Sequence, residues 1–477
     1  MRLKNLVLGL IVGLVVASLG SMAAAALKLP AVIGDNMVLQ QGQPVPIWGW
    51  ADKDAAVTVA FAGQTATATA DAQGRWKVEL KKLAAGGPHT MTIKSGKENR
   101  TLKNVLVGEV WVCSGQSNME MGIEMAKDAQ KEVAAADYPQ IRLFTVDKST
   151  ASEPLNDCKQ FRPWAECSPK SITNGAWGGF SAAAYYFGRE LHKQLGVPVG
   201  LIHTSWGGTP AEAWTSRKAL EAEPKLKGLG GSGLYNGMIA PLIPYGIRGA
   251  IWYQGEANVG RAYQYRTLLP TMIANWRSDW KQGDFPFLIV QIASYHYNRP
   301  GKDGRFDPRR LEPCAELWEA ELLTHKTVAN TGLAVTTDIG DLNDIHPKNK
   351  QEVGRRLALW ALAKTYGRDV VCSGPLYKSM SADGNGRIHL AFDYAAGLKS
   401  SDGKPLSCFT ICGADHKFLP AEARIDGNSV VVISDEIMNP VAVRFAWRED
   451  AQPNLVNGAG LPASPFRTDS FKGVTQP

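Results

Sequence analysis

Apolar and polar residues alternate with a period of two along three short runs near the start of the chain. These are Val57-Thr58-Val59-Ala60-Phe61, Trp76-Lys77-Val78-Glu79-Leu80 and His89-Thr90-Met91-Thr92-Ile93-Lys94. Gly, Asp and Pro separate the runs, so each predicts a half-buried strand, and together they predict a small β unit of the immunoglobulin or jelly-roll sandwich kind. From Gly108 the rhythm changes. Continuous apolar runs at 110–113, 199–203, 249–253, 287–292 and 332–337 predict strands covered on both faces. Between and after them, 119–136, 181–195, 263–280, 314–324 and 350–366 carry helical spacing, and an irregular section holds Cys158, Trp164 and Cys167. Five strands with interposed helices predict a doubly wound, mostly parallel α/β sheet. Beyond 369 the β pattern returns, in Ser429-Val430-Val431-Val432-Ile433 and in 441–447. No low-complexity linker precedes it, so this part is expected to pack on the sheet domain. The expected division is 27–107 β-sandwich-like, 108–368 α/β and 369–477 β-rich.

The first 26 residues stand apart. Arg2 and Lys4 precede an apolar run from Leu6 to Gly20, and an Ala-rich stretch ends at Ala26, the pattern of a cleaved secretory signal peptide. An uncleaved anchor is the alternative, since the run is just long enough for a bilayer core of ~30 Å. Export predicts a secreted or periplasmic protein with no membrane contact after cleavage. It also predicts disulfides among the seven cysteines, with Cys158/Cys167 and Cys408/Cys412 as possible pairs and Cys372 able to join the second group. The Cys spacing does not suit zinc, and no metal or other cofactor is expected. A net charge of +7 spread over 477 residues, with no Lys/Arg run, speaks against a nucleic-acid partner. The tryptophans Trp48, Trp50 and Trp76 admit two readings, a sugar-stacking platform or the sandwich core, of which the core is the simpler.

Candidate chemistry falls at strand ends. Val110-Trp111-Val112-Cys113 runs into Ser114-Gly115-Gln116-Ser117-Asn118 and then into helical spacing, which places Ser117 at a strand's carboxyl end beside a helix N-terminus. Open α/β sheets bind ligands there. Ser117 is therefore the candidate nucleophile, and His346, in the loop after the fifth strand, the candidate base. Two further strand ends offer donors for an oxyanion: Gly207-Gly208, where a backbone N–H can approach closely, and the amide of Gln254, with the Ser117 N–H as a third. Cys113 lies within the strand and is expected to be buried and inert.

Four blocks then resemble a known family: Gly115-Gln116-Ser117-Asn118-Met119, Ser205-Trp206-Gly207-Gly208-Thr209, Trp252-Tyr253-Gln254-Gly255-Glu256-Ala257-Asn258, and Asp344-Ile345-His346-Pro347 with Lys350. They look like the signature blocks of the sialate O-acetylesterases, within the SGNH (GDSL-like) hydrolases, and the resemblance runs from Leu29 to Tyr366. It implies a flavodoxin-like fold and removal of acetyl groups from O-acetylated carbohydrates through an acyl-serine, with acetylated xylan or pectin as alternative substrates. The wider SGNH pattern has Asp three residues before the His, and here that position is Asn343. Asp344 is the chosen orienting acid, with Asp341, Asp338 and Glu256 as rivals and a Ser–His dyad also open. Gln116, Asn118, Trp206, Gly207 and Glu256 are expected to support the site, Glu256 either by orienting His346 or by holding the Ser117 loop. Trp206, Trp214 and Tyr253 are candidates to hold the sugar. The reading from another class is a sugar-binding or structural protein on an inactive hydrolase fold.

Overall fold

The computed structural model describes residues 27–297 and 311–477. The expected signal peptide lies outside the described residues. Among those residues, no helix is long and apolar enough to cross a membrane.

The first strands are β1 (Val38–Gln40), β2 (Val45–Trp50), β3 (Ala56–Phe61), β4 (Gln64–Thr69), β5 (Arg75–Leu80), β6 (Gly86–Ser95) and β7 (Glu98–Gly115). Alternation is visible in β5, whose Trp76, Val78 and Leu80 are buried while Arg75, Lys77 and Glu79 face solvent. β2 and β5 pair antiparallel, and β3, β4 and β6 form a second antiparallel group that joins β7. β7 spans 18 residues and serves two regions. Its first half pairs with β6 and β1, and its second half is the middle of the α/β sheet. One hydrophobic core accordingly runs without a break from Leu27 through both regions.

The α/β sheet is completed by β8 (Tyr138–Val146), β9 (Gln160–Cys167), β10 (Val199–Ser205), β11 (Gly249–Tyr253), β12 (Phe287–Gln291) and β13 (Thr331–Val335), in the order β13-β12-β11-β7-β10-β8-β9. All its neighbours are parallel except the edge pair β8–β9. β10, β11, β12 and β13 are buried along their whole length, as parallel strands covered on both faces must be. The helices are α1 (Ser117–Glu120), α2 (Ala129–Ala134), α3 (Pro169–Ile172), α4 (Ala182–Leu195), α5 (Arg217–Ala222), α6 (Ala262–Trp280), α7 (Pro313–Thr327) and α8 (Lys350–Trp360). α4 packs on α8 and α6 on α7. Ser181 caps α4 by accepting from Ala184 N, and Gly196 ends it in the left-handed region at φ 67.

Three expectations need correcting. The helix expected over 119–136 breaks into α1, a 3-10 turn at Ile123–Met125 and α2. Gly122 lies so close to the Gly178 carbonyl that a Cβ would come within 2.1 Å, and its N–H donates to Trp177 O instead of continuing a helix. The irregular section contains two strands, β8 and β9, so the sheet has seven members instead of five. Finally, all seven cysteines are free thiols. β9 separates Cys158 from Cys167, and the strand Phe409–Cys412 separates Cys408 from Cys412. Four extended residues span ~13 Å, beyond the ~7 Å Cα separation a disulfide tolerates.

Past Cys372 two four-stranded antiparallel groups form, with a separate core around Phe392, Phe409, Phe445 and Phe466. This region docks on the α/β sheet: Gln291, the last residue of β12, donates to Ser464 Oγ at 3.1 Å, and Arg467 Nε meets Glu319 of α7 at 2.9 Å.

Candidate active site

β7 delivers Ser117. A Cβ on Gly115 (φ +143) would sit 2.1 Å from the Tyr253 carbonyl, so only glycine lets β11 pass this closely. Gln116 then turns the chain out of the strand, its N–H on Tyr253 O at 3.0 Å and its Oε1 accepting from Ala257 N at 3.2 Å. Ser117 opens α1 and stays half-buried among buried neighbours, and its N–H is one of the donors that a helix's first turn leaves without an intrahelical partner.

His346 arrives from the loop after β13. Its Nε2 lies 3.0 Å from Ser117 Oγ. The same loop folds back so that Asp344 Oδ1 stands 3.4 Å from His346 Nδ1 and also accepts the His346 backbone N–H at 2.9 Å. Burial and the neighbouring Lys350 charge lower the His346 pKa, against the pull of Asp344 in the other direction. The rival acids are occupied elsewhere. Asp338 is bidentate on Arg356 at 2.6 and 2.7 Å, and Asp341 is exposed and accepts from Asn343 N at 2.9 Å.

Asn118 ties three rim segments together. Its Nδ2 donates to Glu256 Oε1 at 2.5 Å and to Ile345 O at 2.9 Å, and its Oδ1 accepts from Lys350 Nζ at 2.6 Å. Glu256 therefore holds the Ser117 loop and does not touch His346. Burial raises the Glu256 pKa, and burial pulls the Lys350 ammonium down to about 7 against the opposing charges of Glu256 and Asp344.

The two donor loops are less alike than their spacing suggests. Gly207 lies against Ser117, where an added Cβ would meet Ser117 Cβ at 3.2 Å, but its N–H is already spent on Glu120 Oε2 at 2.7 Å. Gly208 is exposed at φ +73 with open space around it. Gln254 corrects an expectation: it is fully buried, with its Nε2 donating to Thr209 O at 3.2 Å and Asn258 Oδ1 at 2.7 Å and its Oε1 accepting from Tyr265 at 2.8 Å. Both amide hydrogens are committed, so it braces the Gly208 loop and is not free as an oxyanion donor. Trp214 and Tyr253, considered for the sugar, are buried in the core, whereas Trp206 is half-buried with Lys148 Nζ 5.7 Å from its ring. Burial raises the Cys113 thiol far above its usual range.

Two residues escaped sequence reading. Glu120, buried between Met119 and Met121, anchors Gly207 and pairs with Lys148 Nζ at 2.5 Å. A carboxylate flanked by two apolar residues was the only local sign. Trp177 stands edge-on to His346, ring centroids 4.9 Å apart, at φ +48 and 36% exposed. Its Gly-rich setting, Gly175-Ala176-Trp177-Gly178-Gly179, reads as a plain loop.

A mixed parallel and antiparallel α/β sheet with flanking β regions and this cluster at its carboxyl rim defines an SGNH-like esterase fold. The family model described as carbohydrate esterase, sialic acid-specific acetylesterase matches residues 107–363. The chain belongs to that family and is a carboxylic ester hydrolase acting on carbohydrates. It is similar to the sialate O-acetylesterase of Homo sapiens, 32% identical over 97% of this chain and 96% of the relative, and to that of Mus musculus, 30% identical over 97% and 98%. Among solved structures, a carbohydrate acetylesterase from Xanthomonas citri is 41% identical with a TM-score of 0.86, covering 94% of this chain and 100% of its own.

Proposed function

We propose that the chain hydrolyses O-acetyl esters of sugars through an acetyl-serine intermediate, with sialate O-acetyl groups as the first substrate. The observation that carries the chemistry is the line from Ser117 Oγ to His346 Nε2 at 3.0 Å and from His346 Nδ1 to Asp344 Oδ1 at 3.4 Å. His346 takes the Ser117 proton as Oγ attacks the acetyl carbonyl, and Asp344 holds the imidazole and offsets the charge it gains. The Ser117 and Gly208 N–H groups stabilise the tetrahedral oxyanion. Collapse breaks the bond to the sugar oxygen, which leaves with the proton from His346. Water, deprotonated by the same imidazole, then attacks the acetyl-serine and releases acetate and Ser117.

The winding supports a flavodoxin-like reading. Without the added edge strands β8 and β9, the order is β10-β7-β11-β12-β13, which by position in the chain is 2-1-3-4-5. In this reading 27–107, 108–368 and 369–477 are the structural units, with β7 shared by the first two. Residues 1–26 direct export to the periplasm or medium.

The 41% identity to the Xanthomonas citri carbohydrate acetylesterase exceeds that to the sialate esterases, so a second reading is another O-acetylated carbohydrate, for which acetylated xylan or pectin is the alternative expected from the sequence. Acetate release from O-acetylated sialoglycoprotein and from acetylated xylan separates them. A preference for the sialoglycoprotein is expected, and a strong preference for xylan overturns the sialate reading while leaving the chemistry standing.

A further inference from the structure

We infer that the small cavity beside the Ser117 loop is a subsite for an acetamido group, so that the esters this chain removes sit on N-acetylated sugars. The inference rests on the sugar-ester reading and names the sugar. The cavity holds about 90 Å³. It lies at the carboxyl ends of β8 and β10, between residues 145–148, His203, Phe161 of β9 and the loop that carries Trp177. Two of its boundaries belong to the catalytic centre. Glu120, on one side, shares α1 with Ser117, and side chains three residues apart on a helix start ~5–6 Å from each other. Its Oε2 holds the Gly207 N–H at 2.7 Å, where an added Cβ on Gly207 would meet Ser117 Cβ at 3.2 Å. On another side, Gly175, Ala176 and Gly179 belong to the loop whose Trp177 ring stands 4.9 Å from that of His346. An ester at Ser117 Oγ and a group in this cavity are therefore as near as two substituents of one sugar.

Three properties of the walls select the group. The first is size. At the ~30 Å³ that a water occupies, the space takes about three, enough for a short acyl amide and too little for a second sugar ring. The second is polarity. Val146, Phe161 and Ala176 offer an apolar wall to a methyl group, while His203 and Lys148 offer polar atoms to an amide. The His203 ring makes one hydrogen bond among the described residues, Nε2 to Ser205 Oγ at 2.6 Å, which leaves Nδ1 free. Burial and the Lys148 charge hold this imidazole's pKa down at about 4, so it is uncharged at neutral pH. Its free nitrogen can accept the amide N–H or donate to the amide carbonyl. Lys148 Nζ carries three donors, of which one goes to Glu120 Oε1 at 2.5 Å. The third property is charge. Glu120 and Asp147 stand against the single ammonium of Lys148, two against one, so a carboxylate finds no net attraction here and a neutral amide needs none. Xylose and galacturonate carry no acetamido group and N-acetylneuraminate does, so the cavity favours the sialate substrate over xylan and pectin.

The test compares acetate release from mono-O-acetylated N-acetylneuraminate with release from its counterpart bearing a hydroxyl in place of the acetamido group. The full chain is expected to prefer the acetamido sugar by at least about tenfold in kcat/KM, mostly through KM. Ala176→Leu, on the exposed rim of the cavity, fills the space, and Lys148→Met removes the ammonium while keeping the stem. Each should bring the preference down to about threefold or less. Because the readout is a ratio between two sugars on one variant, a general loss of folding or turnover cancels from it. Equal kcat/KM for the two sugars in the parent chain, or a ratio unchanged in either variant, overturns the subsite while the esterase reading stands. Cleavage of an aryl acetate with no acetate from either sugar overturns that reading as well.

Discussion

Among the described residues two serine–histidine pairs form, and they differ in everything but the hydrogen bond. His203 Nε2 lies 2.6 Å from Ser205 Oγ on the last residues of β10, closer than the 3.0 Å between His346 and Ser117. Yet His203 and Ser205 are both buried, with Phe180 edge-on to the imidazole. Burial and the Lys148 charge hold the His203 pKa down at about 4. Ser117 and His346 are half-buried at the rim, with the Asp344 carboxylate behind the imidazole. A short Ser–His contact is thus not what marks a nucleophile. Access to an ester, an acid behind the base and donors beside the serine mark it, and only the rim pair has them.

The largest way to sharpen this contrast is to remove each serine in turn. Ser117→Ala should cost roughly 10⁴-fold or more in turnover of an aryl acetate, while Ser205→Ala leaves turnover near that of the parent. Equal losses would erase the distinction. A smaller effect is expected from Asp344→Ala, about 10²-fold, because this carboxylate is partly exposed and its bond to the imidazole is long. Asp341→Ala serves as the control and should change little. A Ser–His dyad acting alone predicts no difference between these two variants, so their kcat values decide the point.

The remaining effect is on stability instead of turnover and belongs to the buried pair. His203 binds its proton less readily folded than unfolded, so its contribution is fully present above an unfolded pKa near 6.5. It is lost as pH falls from there towards 4. The loss should reach about 3 kcal/mol below pH 4. Urea unfolding at pH 7 and pH 4.5 should show a smaller acid penalty in His203→Gln than in the parent chain. His325, also held down to about 4, acts in both proteins and cancels from the difference.

Much of the scaffold was legible because it is written in local periods. β10, β11, β12 and β13 are unbroken apolar runs, α4 and α6 carry helical spacing, and Gly115, Gly207 and Gly208 mark the turns where chains cross closely or φ turns positive. β8 and β9 were missed because neither alternation nor a continuous run distinguishes Tyr138–Val146 and Gln160–Cys167, whose pairing carries register shifts. The helix after Ser117 was overextended because helical spacing cannot reveal that Gly122 will dock on the loop carrying Trp177.

At the site the division is sharper. By itself the sequence determined the residue types at the strand ends, Ser117, Gly208 and His346, because each follows an apolar run whose direction and exit the local pattern shows. Only the tertiary structure decided which groups meet. Asp344 folds back to His346, Gln254 turns away to Asn258 and Thr209, Glu256 takes Asn118, and Trp177 closes over the imidazole. The physical reason is that a buried polar group must find a partner wherever the packed chain supplies one. Asn118 and Lys350 are 232 positions apart in the chain and 2.6 Å apart in space, and no pattern spanning a few residues can anticipate that choice.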